Sequence, residues 1–226
     1  YVEDNYDVDI VYGDTDSIFV KFKNVVDMAQ VCKLSMEVEE VINKMYKDRG
    51  NRKKAIEFEK AFKPLLMLQK KRYAGLQFEP NKNNEMIFKK MDYKGIEVAR
   101  RDFCVFARKV CKNVLNSLMY DQSVPKVLET LDNDMQAMIS NNVPYDEFKL
   151  SKRLAASYKV EEDQPHFMVN KRKAERQPGS EYKSGERVDY VIFNGDPNAK
   201  VATLAECFHY AKEKKLKLNH DWYLNH

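Results

Sequence analysis

The sequence lacks the marks of a secreted, membrane-spanning or cross-linked protein. Its four cysteines, Cys32, Cys104, Cys111 and Cys207, show no C-x-x-C spacing, and no Asn-x-Ser/Thr acceptor occurs. That excludes a disulfide framework and a zinc knuckle and predicts a reduced, intracellular setting. No uninterrupted apolar run reaches about 18 residues, so no membrane partner is expected. The chain does not open on a basic patch, an apolar stretch and a cleavage site, and a signal peptide is not expected either. With 33% charged and 43% apolar residues it is no disordered tail, and 226 residues suffice for one large domain or two small ones.

Lys and Arg nearly balance Asp and Glu, 39 against 35, so the net charge of +4 names no partner. The distribution is more informative. From Tyr1 to Val20 there are six acids and no Lys or Arg, whereas Arg49 to Arg72 holds nine basic residues and two acids, Glu57 and Glu59. An acidic pole followed by a basic stretch suggests a cation site beside an anion site, although charge runs are commonly just solvated faces.

Val8 to Tyr12 and Ser17 to Phe22 are β-prone runs around Gly13-Asp14-Thr15-Asp16, which predicts a hairpin with carboxylates at its tip. Asp27 and Gln30 resemble a capping box, and Val31, Leu34, Val38, Val41, Ile42 and Met45 repeat at helical spacing to about Lys47. Ala55 to Lys60 alternates as a strand would, with Leu65 to Leu68, Arg72 to Phe78 and Met86 to Lys89 as further strands. The character changes near Met91. Ile96, Ala99, Phe103, Phe106, Val110 and Val114 predict a helix to about Tyr120. A second helix is expected from Val124 to Asn141, buried through Val124, Leu128, Leu131, Met135 and Met138. Ser151 to Arg187 reads as a polar, irregular stretch, Val188 to Phe193 as a strand and Leu204 to Lys214 as a helix.

Asp14-Thr15-Asp16 is the sharpest chemical feature. In extended backbone residues i and i+2 point to one side, so both carboxylates could face one hard divalent cation such as Mg²⁺. A bare D-x-D is also an ordinary turn. A calcium loop begun at Asp7 or Asp9 would lack a Glu at the twelfth position.

The longer run Val11-Tyr12-Gly13-Asp14-Thr15-Asp16-Ser17 resembles the YGDTDS motif of the palm domain in family B DNA polymerases. The resemblance continues in order. Phe58-Glu59-Lys60 resembles an F-E-K segment, and Lys70-Lys71-Arg72-Tyr73-Ala74-Gly75 resembles KKRYAG. Asp92-Tyr93-Lys94-Gly95 and Arg100-Arg101-Asp102 resemble the D-x-K-G and R-R-D positions at the passage from palm to thumb. Gln164-Pro165-His166 and Gly185 to Ile192 are similar to thumb segments of the polymerase delta branch, so nearly the whole chain is covered.

The resemblance implies an α+β fold: residues 1–91 as the C-terminal part of a palm, a small antiparallel sheet with a packed helix, and residues 92–226 as a mainly α-helical, C-terminally incomplete thumb. It implies nucleotidyl transfer from dNTPs to a primer 3′-OH on primer-template DNA, with two Mg²⁺ ions as cofactor. Asp16 would ligate metal, Asp14 would ligate or support it, and Glu59 matches a position that can approach it. Tyr12 and Gly13 would support the hairpin. Lys71 and Tyr73 match residues that hold the primer end, and Lys70, Arg72 and Gly75 of the same motif are candidate DNA contacts. Arg100, Arg101, Lys152, Arg153, Lys171 and Arg172 are candidate thumb contacts to the duplex backbone, while His166 reads as structural.

The D-x-x-S-L-Y-P-S palm strand and the K-x-x-x-N-S-x-Y-G fingers helix of the family do not occur, so most nucleotide-binding groups would lie outside this chain. The expected remaining partners are the rest of the polymerase polypeptide and a sliding clamp or processivity factor. The alternative is a non-catalytic relative acting as a DNA-binding scaffold. Abundant Lys, Asn and Tyr and the delta-like pattern suggest a large DNA virus or its eukaryotic host, hence a nucleus or a viral replication site.

Overall fold

The computed structural model describes residues 1–25, 27–51 and 53–225; Arg52, one of the nine basic residues counted above, lies outside them. The fold is α+β and forms two compact units, Tyr1–Ile96 and Glu97–His226.

The first unit runs α1 (Val2–Asn5), β1 (Val8–Gly13), β2 (Ile18–Phe22), α2 (Met28–Asp48), β3 (Ala61–Gln69), β4 (Arg72–Pro80) and β5 (Met86–Lys94). The hairpin β1–β2 is antiparallel, and an irregularity between Ile10 and Tyr12 lets Tyr12 pair with Phe19. Asp27 caps α2 by accepting the Ala29 N–H at 3.2 Å. Val38 and Ile42 of that helix pack with Val2, Val8, Val20 and Phe22, which seats the hairpin. The second sheet has the order β3-β4-β5 and is antiparallel.

Ala55 to Lys60 is not a strand; β3 begins at Ala61. Its alternation is satisfied differently. Asn43 of α2 donates to the Ile56 carbonyl at 2.9 Å and accepts the Ile56 N–H at 2.8 Å, and Glu39 accepts the Phe58 N–H at 2.7 Å. The segment's backbone is thus bound to helix side chains instead of a ladder. The expected change of character near Met91 lies within β5.

The second unit contains α3 (Val105–Asn116), α4 (Val124–Ile139), β6 (Leu150–Arg153), α5 (Pro165–Arg176), β7 (Arg187–Ile192), β8 (Ala205–Cys207), α6 (Phe208–Glu213) and α7 (His220–Asn225). Its antiparallel sheet has the order β6-β7-β8. The core gathers Phe106, Met138, Phe148, Val169, Val188 and Ile192. Tyr223 ties it together, its hydroxyl donating to the Phe148 carbonyl at 2.8 Å and accepting the Ile192 N–H at 3.0 Å.

Four expectations change here. The helix expected from Ile96 starts at Val105, because Arg100 pairs with Asp102 at 3.1 and 2.6 Å, an i,i+2 contact a helix cannot make. The stripe chosen for α4 is only half buried. Met135 and Met138 pack inward, but Val124, Leu128 and Leu131 are exposed. The helix docks on a neighbouring face instead, through Thr130 to Ser117 at 3.0 Å and Asp134 to Asn113 at 3.0 Å. The stretch Ser151 to Arg187 is not irregular throughout, since it carries most of β6 and all of α5. The last expected helix starts at Phe208, because Ala205 to Cys207 pairs with β7.

His166 is structural, as expected. It is fully buried, with Nε2 2.7 Å from the Tyr158 hydroxyl, which itself accepts the Ala155 N–H. The burial of the ring keeps it neutral. Burial, with Lys152 adding to it, pushes the imidazole down to about 4 from its ordinary 6.5. The unfolded chain takes a proton near pH 6.5 that the folded chain refuses. Stability from this group is complete above pH 6.5 and falls as pH drops to about 4, by about 3 kcal/mol in all. Unfolding followed by the sole tryptophan, Trp222, should show that loss between pH 7 and 4.5, with a shallower slope for His166→Gln. Equal slopes for the two proteins would remove His166 as the cause.

Candidate active site

The hairpin turn is closed by the Asp14 N–H donating to the Ser17 carbonyl at 2.9 Å. Asp14 and Asp16 therefore sit in a turn, and the i,i+2 reasoning for extended backbone does not apply to them. The two carboxylates have different surroundings. Asp14 Oδ1 accepts the Thr15 N–H at 2.8 Å and the Thr15 hydroxyl at 3.2 Å and lies 3.5 Å from Lys71 Nζ. Its Oδ2 accepts the Tyr12 hydroxyl at 3.3 Å. The Thr15 N–H first, then Lys71, the Thr15 hydroxyl and the Tyr12 hydroxyl, hold the Asp14 carboxyl below the ordinary carboxylate range. Asp16 is exposed and makes no hydrogen bond or ion pair among the described residues.

Lys70 and Lys71 form the tight turn between β3 and β4, and Lys71 is left-handed at φ 62°. The turn is gripped from two sides. The Tyr12 hydroxyl accepts the Lys71 N–H at 3.0 Å, and Gly95, at φ 62°, lies so close that a Cβ there would meet the Lys71 carbonyl at 2.3 Å. Only glycine serves at position 95. Arg72 donates through Nε to the Gly95 carbonyl at 3.1 Å.

Tyr12, Asp14, Ser17 and Phe19 of the hairpin, Lys71 of the turn, Tyr73 and Lys94 of the sheet and the adjoining Gly95 thus line an open cleft of about 350 Å³. Tyr73 is buried, its ring 5.3 Å from Phe19 and 5.9 Å from Phe62, and burial pushes its hydroxyl up. Gly75 is buried too, where a Cβ would meet Phe62 at 2.8 Å and the Pro64 carbonyl at 2.9 Å. Its role is to let β3 and β4 approach.

Glu59 is exposed and pairs with Lys60 at 2.8 Å. Among the described residues no three His, Cys, Asp or Glu side chains form a group that could hold a metal, so Asp14, Asp16 and Glu59 are not brought together as one. In the second unit Arg101, Lys152, Arg153 and Lys171 are exposed and make no side-chain hydrogen bond or ion pair among the described residues, although the Lys152 charge helps hold the Asp102 carboxyl down. Arg100 is occupied by Asp102. Arg172 points inward, donating to the Ala202 and Ala205 carbonyls and lying 3.8 Å from Glu206.

The matching family model, DNA polymerase family B, spans residues 1–226. The chain belongs to DNA polymerase family B. As a family B chain it is 33% identical over 223 residues to the DNA polymerase delta catalytic subunit of Candida albicans, covering 97% of this chain and 20% of the relative. It is 31% identical over 217 residues to the delta catalytic subunit of Plasmodium falciparum, covering 96% and 19%. Against the DNA polymerase of Paramecium bursaria Chlorella virus NY2A the identity is 30% over 225 residues, covering 96% and 23%. The chain therefore spans about a fifth of the curated relatives it matches. A solved family B DNA polymerase from the archaeon Pyrobaculum calidifontis superposes with a TM-score of 0.58 at 25% identity, over 98% of this chain and 25% of that one.

Lys94 and Gly95 stand in the D-x-K-G motif with no site role expected for them, and none is expected for Thr15 or Phe19 either. The glycine was the available signal: a lone Gly after a strand marks close backbone approach.

Among the described residues, no helix is long and apolar enough to cross a membrane.

Proposed function

We propose that this chain is the C-terminal part of the palm, residues 1–91, and the thumb, residues 92–226, of a replicative DNA-directed DNA polymerase of the delta-like branch. The reaction joins the primer 3′ oxygen to the α-phosphorus of a dNTP as the bond to pyrophosphate breaks. The observation that carries it is the convergence of the YGDTDS and KKRYAG turns on one cleft, acid on one wall and base on the other.

Asp16 fits a hard cation, being an exposed carboxylate with no competing partner. Asp14 fits the supporting place, since its oxygens are engaged, and Glu59 would have to leave Lys60 to contribute. Further ligands would come from the rest of the polypeptide, the dNTP and water. Two Mg²⁺ ions, when bound, would stabilise charge at the transferring phosphoryl group. Lys71 would test the primer end through minor-groove acceptors, which all base pairs share. Exposed Ile10, Val11 and Ile18 on a hairpin of only two strands support a further palm strand from the parent polypeptide. The similarity to delta catalytic subunits and a chlorella virus DNA polymerase supports a replicative role; a nucleus or viral replication site as its setting and a clamp as its partner are part of the proposal.

Arg101, Lys152, Arg153 and Lys171 would hold duplex phosphates. The full-length polypeptide should extend a primed template only with Mg²⁺ and dNTPs. Its duplex affinity should fall with salt, and Lys152→Ala with Arg153→Ala should reduce the log–log slope by about 2. An unchanged slope would exclude these two residues from the DNA contact. Absence of extension by the full-length protein would overturn the activity itself.

A further inference from the structure

The Tyr12 hydroxyl makes two bonds that no expectation assigned it. It donates to Asp14 Oδ2 at 3.3 Å and accepts the Lys71 N–H at 3.0 Å. It therefore joins two hairpin turns 59 residues apart in sequence, which the Lys71–Asp14 ion pair at 3.5 Å also bridges. The bond to Lys71 matters because Lys71 is a non-glycine residue in the left-handed region, where its backbone needs external support. From that backbone the side chain reaches to 3.5 Å from Asp14 while remaining 72% exposed. The ammonium is thus aimed but not consumed. Tyr12's ring is fixed separately, 5.4 Å from Phe19. The hydroxyl can accordingly be removed without disturbing the packing.

We infer that Tyr12 is a positioning residue: its hydroxyl locks the Lys71 turn to the carboxylate turn, so that the Lys71 ammonium and the Asp14–Asp16 loop keep a fixed spacing across the primer end. This rests on the proposed polymerase function and adds to it a residue that acts through the Lys71 turn. The lock acts through geometry, so its loss should affect the rate of a correctly seated primer more than nucleotide binding. A mismatched primer, already displaced from Lys71, gains less from the lock and should lose less with it.

The test is single-nucleotide extension by the full-length polypeptide on matched and 3′-mismatched primers, with Tyr12→Phe, Lys71→Met and the double variant. Tyr12→Phe should lower kcat on matched primer about 5- to 10-fold, the worth of one hydrogen bond, with KM for the dNTP within about 2-fold. The matched-to-mismatched ratio should fall by a similar factor, and Tyr12→Phe should add less than about 2-fold once Lys71→Met is present. Equal losses on both primers, or losses that multiply in the double variant, would overturn the lock. If Tyr12→Phe is indistinguishable from wild type while Lys71→Met is slow on matched primer, the lock fails and the reading of the site stands. If Lys71→Met and Asp16→Asn both extend normally, that reading fails and the inference falls with it.

Discussion

Asp16→Asn in the full-length polypeptide is expected to lower primer extension by about three orders of magnitude or more, with folding and duplex binding unaltered. The expectation rests on what Asp16 lacks. It is exposed and bonded to nothing in the described chain, so neutralising it breaks no structural contact. Stability should stay within about 0.5 kcal/mol, as for other surface substitutions away from special features. A residue with no structural work and a large effect on rate would be acting on the cation or the substrate. Asp14→Asn should behave differently. That change removes the charge facing Lys71 and weakens the bond to Tyr12, so some of its effect should be shared with Lys71→Met. Primer extension and duplex binding measured side by side decide the matter. An Asp16→Asn enzyme that extends at the wild-type rate would remove Asp16 from the chemistry, and one that fails to fold would refute its assignment as structurally idle.

Glu206→Ala is expected to destabilise the second unit by about 3 kcal/mol or more, a fall of about 10 °C or more in Tm. Glu206 is 6% exposed and sits at the centre of a polar cluster. Arg176 binds it through two nitrogens at 2.9 Å each, Arg172 Nε lies 3.8 Å away, and the Cys207 N–H donates to it at 2.6 Å. Removing the carboxylate leaves two guanidinium groups facing each other's charge, one of them half enclosed beneath β8. Arg176 also stacks 4.0 Å over Tyr210, so it cannot swing away without losing that contact. Trp222 fluorescence in thermal or denaturant unfolding measures the loss. A cost below about 1 kcal/mol would show that the cluster relaxes into water and that the buried charge is not held. Arg172→Ala should likewise lower stability and leave the salt slope of DNA binding unchanged, because its donors are spent inside the unit.

These two cases divide along the line between local and tertiary information. The hairpin β1–β2, the helix α2 and the strands β3 to β5 were legible because each is specified by period, turn residues or a cap within its own segment. The segment Ala55 to Lys60 carries a strand's alternation, yet its partners are Asn43 and Glu39 on α2, and no local pattern reveals that choice. In α4 only Met135 and Met138 of the expected stripe reach the core, because Thr130 and Asp134 bind Ser117 and Asn113 and turn the rest of it outward. Arg172 and Lys171 look alike in sequence. Only the docking of α5 on β8 sends one inward to Glu206 and leaves the other in solvent.

The sequence by itself determined the family, the α+β class and the identity of the acidic turn, because six matching letters in a strand-turn-strand context fix chemistry and local backbone together. The tertiary structure alone decided which carboxylate is occupied and which is open. It also decided that Tyr12, Lys71 and Gly95 form one support, and that Gly75 and Arg172 serve packing. The reason is physical. A motif specifies which donors and acceptors are present, but whether each is already satisfied depends on elements that approach from far along the chain.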